Sequence, residues 1–227
     1  MRKIILFICI VVLIFSLYQI ALYIIEAKNV ENMHEEIADI YHSGEDTSEE
    51  FEYLGANVVG WLTIPGTKID YPVVKGDDND YYLDHDIKGN ENKHGAIFMD
   101  YRNDPYSDEN LIIYGHHMKD GTMFKDLVKF KDRDFFDDNR FLYLDIDRKR
   151  TKYEIFSVYI VDANSASLLL SCGDTETYED FFNTVKEKSL FPADVSFAED
   201  GRMVTLSTCT YEYEDARLLI HAFSVDE

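Results

Sequence analysis

The sequence predicts a mainly β protein: a closed barrel of about eight short strands, with a helical segment ahead of it, one helix inserted before its seventh strand, and a single membrane-spanning helix in front of everything. Three observations predict this. From Val59 onward, short runs rich in Val, Ile, Leu, Tyr and Phe alternate with turn residues, the pattern of many short strands that close on themselves. One run alone, Tyr178 to Lys188, spaces its apolar side chains like a helix. Ile4 to Ile25 is apolar throughout except for Ser16 and Gln19, which is long enough to cross a hydrocarbon layer of about 30 Å.

The N-terminal run reads as an uncleaved signal anchor. A cleavable signal has an apolar core of roughly 7 to 15 residues followed by a small-x-small site, and Glu26-Ala-Lys-Asn29 offers none. Arg2 and Lys3 place the short N-terminal stub of segment 1–25 in the cytoplasm by the positive-inside rule, so the rest of the chain is expected outside the cell. Segment 26–50 is expected to be a helical stalk and linker. Within it, Val30, Met33, Ile37, Ile40 and Tyr41 have helical spacing over Lys28 to Tyr41, and the polar stretch from His42 to Glu50 follows. Segment 51–227 is the expected barrel domain.

The expected strands are Val59 to Ile64, Ile69 to Val74, Ala96 to Met99, Leu111 to Tyr114, Phe141 to Ile146, Tyr153 to Asp162, Met203 to Thr208 and Leu218 to Ser224. Pro65-Gly66 and Asp147 to Arg150 supply turn chemistry between neighbours. The inserted helix carries Tyr178, Phe181, Phe182 and Val185 on one face, Thr175 or Thr177 at its start and Pro192 beyond its end, as helix boundaries require. Met123 to Phe130 and Asp132 to Phe136 read as short helices.

The formal charge is −22, from 22 basic and 44 acidic side chains. Such an acidic surface repels phosphate backbones, so nucleic acid is excluded as a partner. Three cysteines, Cys9, Cys172 and Cys209, do not make a disulfide framework. Cys172 has no chemical companions and reads as structural, although a Cys172–Cys209 bridge would contradict any catalytic use of Cys209. Asp77-Asp78-Asn79-Asp80 lacks the glycine and distal glutamate of a calcium loop. It reads as a solvated acidic turn. No metal or other cofactor is called for.

Chemistry concentrates at three strand ends. Met203 to Cys209 reads MVTLSTC, and Arg217 begins the next strand-like run eight positions later. Upstream, Leu111 to Tyr114 breaks at Gly115 and presents His116 and His117. A thiolate, not a thiol, attacks, and a nearby cation favours it. Cys209 would attack a carbonyl, His116 would protonate the leaving amine and Arg217 would hold the substrate or the oxyanion. Ser207, Thr208, Tyr114 and Tyr211 are candidate substrate-binding neighbours. Blander readings stand beside these. Cys209 would be a small buried hydrophobe, Arg217 would pair with Asp215 or Glu214, and one of the adjacent histidines would only support the other. A zinc site on both is disfavoured, because neighbours on extended backbone point to opposite sides.

Thr205-Leu-Ser-Thr-Cys209 with Arg217, together with Tyr114-Gly-His-His117 and with Val59-Gly-Trp-Leu-Thr-Ile-Pro-Gly66 and Tyr71-Pro-Val-Val74, resembles the sortases, cysteine transpeptidases of Gram-positive cell surfaces. The likeness runs from about Asn57 to Phe223. The helical stretch before the barrel, the paired histidines and the amphipathic insertion are similar to class B. The resemblance implies a sortase barrel whose catalytic residues fall on His116, Cys209 and Arg217, the functional imidazole being the one directly after the glycine. It further implies cleavage after threonine of a C-terminal sorting signal on secreted proteins, and transfer to a peptidoglycan precursor amine, at the outer face of the membrane. Two other functions remain open on the residues alone: a hydrolytic surface cysteine peptidase, and a non-catalytic surface binding module.

Overall fold

The computed structural model describes residues 2–43, 57–147, 149–163 and 175–225. The chain divides into two compact units, Met1–Glu45 and Asp46–Glu227. The first is a single helix, α1, Arg2–Ser43, of 42 residues. The separate anchor and stalk helices expected from the sequence are continuous here, because Glu26-Ala-Lys-Asn29 holds no glycine or proline to stop a helix. The N-terminal part of α1 is long and apolar enough to cross a membrane. In its C-terminal part Val30, His34 and Ile37 share one helix face at i, i+4, i+7 spacing. The expected linker, His42 to Glu50, is still helical at His42 and Ser43; the rest of it and the domain start at Phe51 lie outside the described residues.

The second unit is a closed eight-stranded barrel. Its strands are β1 Val58–Thr63, β2 Asp70–Lys75, β3 Ile97–Met99, β4 Asn110–Tyr114, β5 Phe141–Ile146, β6 Lys149–Asp162, β7 Met203–Cys209 and β8 Ala216–Ser224. Around the barrel they run β1-β2-β3-β4-β7-β8-β6-β5, with β5 closing on β1. β2–β3 and β4–β7 are parallel, and every other pair is antiparallel. Both parallel connections need crossovers. The β4–β7 crossover contains β5, β6 and the inserted helix, α3, Thr175–Glu187.

Turn chemistry fixes the corners. Gly66 sits at φ +80° and Thr67 N–H donates to Ile64 O at 3.2 Å, which is the positive-φ third position of a type II turn after Pro65. A Cβ on Gly66 would lie 1.9 Å from Asn139 Oδ1, so the close approach also demands glycine. Asp147, at φ 50°, starts the β5–β6 turn. β6 begins at Lys149, four residues earlier than its sequence pattern suggests, because Lys149 to Lys152 are polar residues on the exposed end of a ladder with β5. The stretch expected as helix near Met123 is a 3₁₀ segment, Phe124–Lys131, followed by a short α2, Arg133–Asp138, whose N-cap Asp132 accepts from Phe135 N–H.

Two cores result. One face of β7 and β8 contributes Val204, Leu206, Leu218, Ile220 and Ala222 to a cluster with Leu62, Val73, Ile113, Phe124 and Leu127. The other face contributes Met203, Leu219 and Phe223 to a second cluster under α3, whose Tyr178, Phe181, Phe182 and Val185 are all buried. β6 serves both clusters. Its register shifts between Ile155 and Ser157, and such a bulge changes which alternate residues face a given side. Tyr153 and Ile155 therefore join the first cluster before the bulge, and Val158 joins it after.

His221 is fully buried beneath α3. Thr205 Oγ1 donates to Asn110 Oδ1 at 2.8 Å, so the 2.9 Å contact from His221 Nδ1 to that hydroxyl has the ring donating. Nε2 then accepts from Tyr159 Oη at 3.1 Å. The ring is neutral, its pKa pushed down to about 3 by burial and, secondarily, by Lys188. An unfolded histidine takes its proton near pH 6.5. This group's contribution is therefore complete above about pH 6.5, and falls by about 1.4 kcal/mol per pH unit as the unfolded chain gains a proton the native ring refuses. Denaturation midpoints from pH 7 down to pH 4 should fall more steeply in the wild type than in His221→Gln. Equal slopes would show that His221 is not the source.

Candidate active site

Parallel pairing of β4 with β7, and antiparallel pairing of β7 with β8, put the C-terminal ends of the first two and the N-terminal end of the third at one pole of the barrel. Cys209 and Arg217 are direct cross-strand partners. Arg217 Nη1 donates to Cys209 Sγ. Cys209 is a free, partly exposed thiol; Cys172 lies outside the described residues. Among the described residues, Arg217 forms no ion pair with Asp215 or Glu214. Asp215 instead sits at φ 59° in the tight connection back into β8, where Thr210 N–H donates to Ala216 O at 3.0 Å.

β4 delivers the histidines. Gly115 follows Tyr114, and a Cβ there would lie 2.5 Å from Ile97 Cδ1 and 2.8 Å from Phe124, so only glycine lets the chain turn this close to the core. Gly115 N–H donates to Ser207 O at 3.3 Å, and Thr208 Oγ1 donates back to Gly115 O at 2.7 Å. The step before His116 is thereby stitched to the step before Cys209. His116 Nε2 is 2.7 Å from Leu83 O. A carbonyl only accepts, so Nε2 carries a proton. His117 faces elsewhere, with Nδ1 2.9 Å from Cys209 O and Nε2 2.7 Å from Lys125 Nζ.

A cleft of about 360 Å³ opens at this pole, lined by Asn79, Leu83, Phe98, Tyr114, Gly115, His116, Ser207, Thr208, Cys209 and Arg217. It unites His116, Cys209 and Arg217 with three of the four expected neighbours, Tyr114, Ser207 and Thr208. Tyr211 is not in the lining. It is 67% exposed, its ring 4.9 Å from that of His117.

The cleft wall that sequence reading missed is built around Asp100. This fully buried carboxylate accepts from Arg102 Nε at 2.9 Å and Nη2 at 2.8 Å, from Asn79 Nδ2 at 3.0 Å and from Tyr114 Oη at 2.9 Å. Burial alone would raise its pKa, but the bonds from Arg102, Asn79 and Tyr114 hold it down at about 2. Asn79 belongs to the acidic turn, where Asp78 Oδ1 accepts from Asp80 and Tyr81 N–H. The turn aims Asn79 at the cleft, and no residue-level pattern signals that. Beyond His117, fully buried His94 places Nε2 2.6 Å from Asp120 Oδ2, tying the 85–95 loop to the loop after the histidines.

A free sulfur with a guanidinium on it, reachable from a cleft that also presents a protonated imidazole nitrogen, is equipped for acyl transfer through a thioester. Comparison with known proteins agrees with that class. The family model described as Sortase domain matches residues 62–225. The chain is 36% identical to the sortase B of Listeria monocytogenes over 222 residues, covering 92% of this chain and 90% of that one. It is 31% identical to the sortase B of Staphylococcus aureus over 168 residues, covering 74% and 69%. A crystal structure of sortase B from B. anthracis superposes with a TM-score of 0.80 at 36% identity, covering 89% of this chain and 99% of that one. The chain belongs to the sortase family of cysteine transpeptidases, and its relatives within that family are the class B enzymes.

Proposed function

We propose that this chain is anchored in the membrane by α1, N-terminus inside, and cleaves a C-terminal sorting signal of secreted proteins after threonine, passing the protein to a peptidoglycan amine. The observation that carries this reading is the Arg217 Nη1 to Cys209 Sγ bond inside a cleft that His116 shares. In the first half-reaction the Cys209 thiolate, with His116 as imidazolium, attacks the threonyl carbonyl carbon. The C–N bond breaks, the imidazolium gives one proton to the departing amine and becomes neutral, and a thioester remains. Arg217 faces the negative charge that collects on the carbonyl oxygen. In the second half-reaction the acceptor amine attacks the thioester, His116 takes the amine's surplus proton and the thiolate leaves. An apolar N-terminal helix suits this task because a substrate held at the same surface by its own apolar tail meets the enzyme in two dimensions.

The test uses full-length protein in detergent micelles with a panel of fluorogenic sorting-signal peptides, with and without an acceptor amine. Scission after threonine, with the amine joined to the threonyl carboxyl in the product, is expected. Hydrolysis alone at saturating amine would favour a peptidase. A wholly uncut panel would contradict the proposed activity on sorting signals of that kind.

A further inference from the structure

His117 is the second histidine of the pair, and the acyl-transfer reading gives it no task. Its surroundings are more constrained than packing requires. Lys125 Nζ lies 2.7 Å from Nε2, and an ammonium can only donate. Nε2 must therefore be the acceptor, which puts the ring's proton on Nδ1. Nδ1 lies 2.9 Å from the Cys209 carbonyl oxygen, which can only accept. The two contacts together permit one tautomer of the neutral ring, and a proton on each nitrogen would aim one N–H at the ammonium. Burial pushes the pKa of His117 down and the charges of Lys125 and Lys131 push the same way, against an opposing pull from the Cys209 carbonyl bond. The neutral form is the one the contacts need.

The place of this contact is what gives it consequence. Cys209 ends β7, so its carbonyl is one of the last points at which the strand can be held before the 210–215 connection. His117 sits one residue past His116, which presents its own ring to the cleft. Tyr211, in the same connection, packs its ring on His117 at 4.9 Å and has its hydroxyl 3.5 Å from His117 O. One imidazole thus touches the cysteine main chain, the lysine and the loop that leads to Arg217.

We propose that His117 and Lys125 form a positioning pair for the thioester chemistry: Lys125 fixes the tautomer of His117, and His117 Nδ1–H holds the Cys209 carbonyl so that the sulfur stays aligned with Arg217 and the cleft. This rests on the reading of Cys209 as the nucleophile. His117 moves no proton and touches no substrate. Its effect is geometric, and a misplacement of about 1 Å at a reacting group can cost on the order of 10²-fold in rate.

The test compares His117→Ala, His117→Asn, His117→Gln and Lys125→Met in the full-length protein. Two readouts are taken: peptide kcat and KM, and the second-order rate of Cys209 alkylation by iodoacetamide, which needs no peptide. Asparagine puts an N–H near the Nδ1 position, whereas glutamine puts its amide near Nε2. His117→Ala should lower kcat and the alkylation rate by about 10- to 100-fold with KM within about threefold. His117→Asn should recover to within about threefold of wild type, His117→Gln should not recover, and Lys125→Met should lose about threefold to tenfold. A merely structural residue would lower Tm while leaving the folded fraction at wild-type kcat, and that result would overturn the proposal. So would asparagine performing no better than alanine, or Lys125→Met matching wild type in both readouts. If wild type cleaves no peptide, the transpeptidase reading fails on its own, and the alkylation rates still decide for or against the pair.

Discussion

Cys209→Ala is expected to abolish peptide cleavage, by about 10⁴-fold or more, with the barrel intact. Removing the sulfur removes the only free thiol at this pole among the described residues and leaves Arg217 Nη1 without the nucleophile it donates to. The site lies at a strand end beside a cleft, so losing one partly exposed sulfur opens no cavity in either core. Tm should stay within a few degrees of wild type while turnover disappears. Measuring both on the same preparation separates lost chemistry from lost fold. Substantial cleavage by the alanine variant would remove Cys209 from the mechanism.

His116→Ala is expected to lower kcat for an amide substrate by about 10²- to 10⁴-fold, the usual worth of a positioned general acid–base. The ring is held on the cleft wall by Leu83 O, which fixes one proton on Nε2, and the imidazolium form carries the second proton that the leaving amine needs. Donation to a departing amine matters because an unprotonated amine anion is a very poor leaving group. An ester or thioester analogue of the same signal departs without such help. The loss should therefore shrink by at least about tenfold on the ester. An equal loss on amide and ester would mean that His116 acts by shaping the cleft, and a His117→Ala variant that reproduced the amide-selective loss would transfer the acid role to the neighbouring ring.

Much of this was written in local pattern. The strand runs, the helix over Tyr178 to Val185 and the three strand-end residues all follow from side-chain spacing, because barrel faces and helix faces impose periods of two and about 3.6. What stayed hidden depends on residues far apart in the chain. Asn79 reaches the cleft only because Asp100 receives it from 21 residues away, and Leu83 matters through its carbonyl, which has no sequence signature. Lys149 and Arg150 looked like turn because their polar side chains line an exposed ladder. α1 looked like two helices because its composition changes at Glu26 while its backbone does not. The split of duties between His116 and His117 follows the opposite facing of adjacent residues, but the partner that makes His117 useful, Lys125, enters only through the fold.

The central claim is a thioester on Cys209, and intact-mass spectrometry of the full-length enzyme mixed with a sorting-signal peptide, quenched in acid before acceptor amine is added, tests it most directly. The account predicts a mass increase equal to the signal up to its threonyl carbonyl, located on the Cys209 peptide, discharged by hydroxylamine and absent from Cys209→Ala. Cleavage that proceeds at full rate with no such adduct at any quench time, or an adduct on another residue, would contradict it.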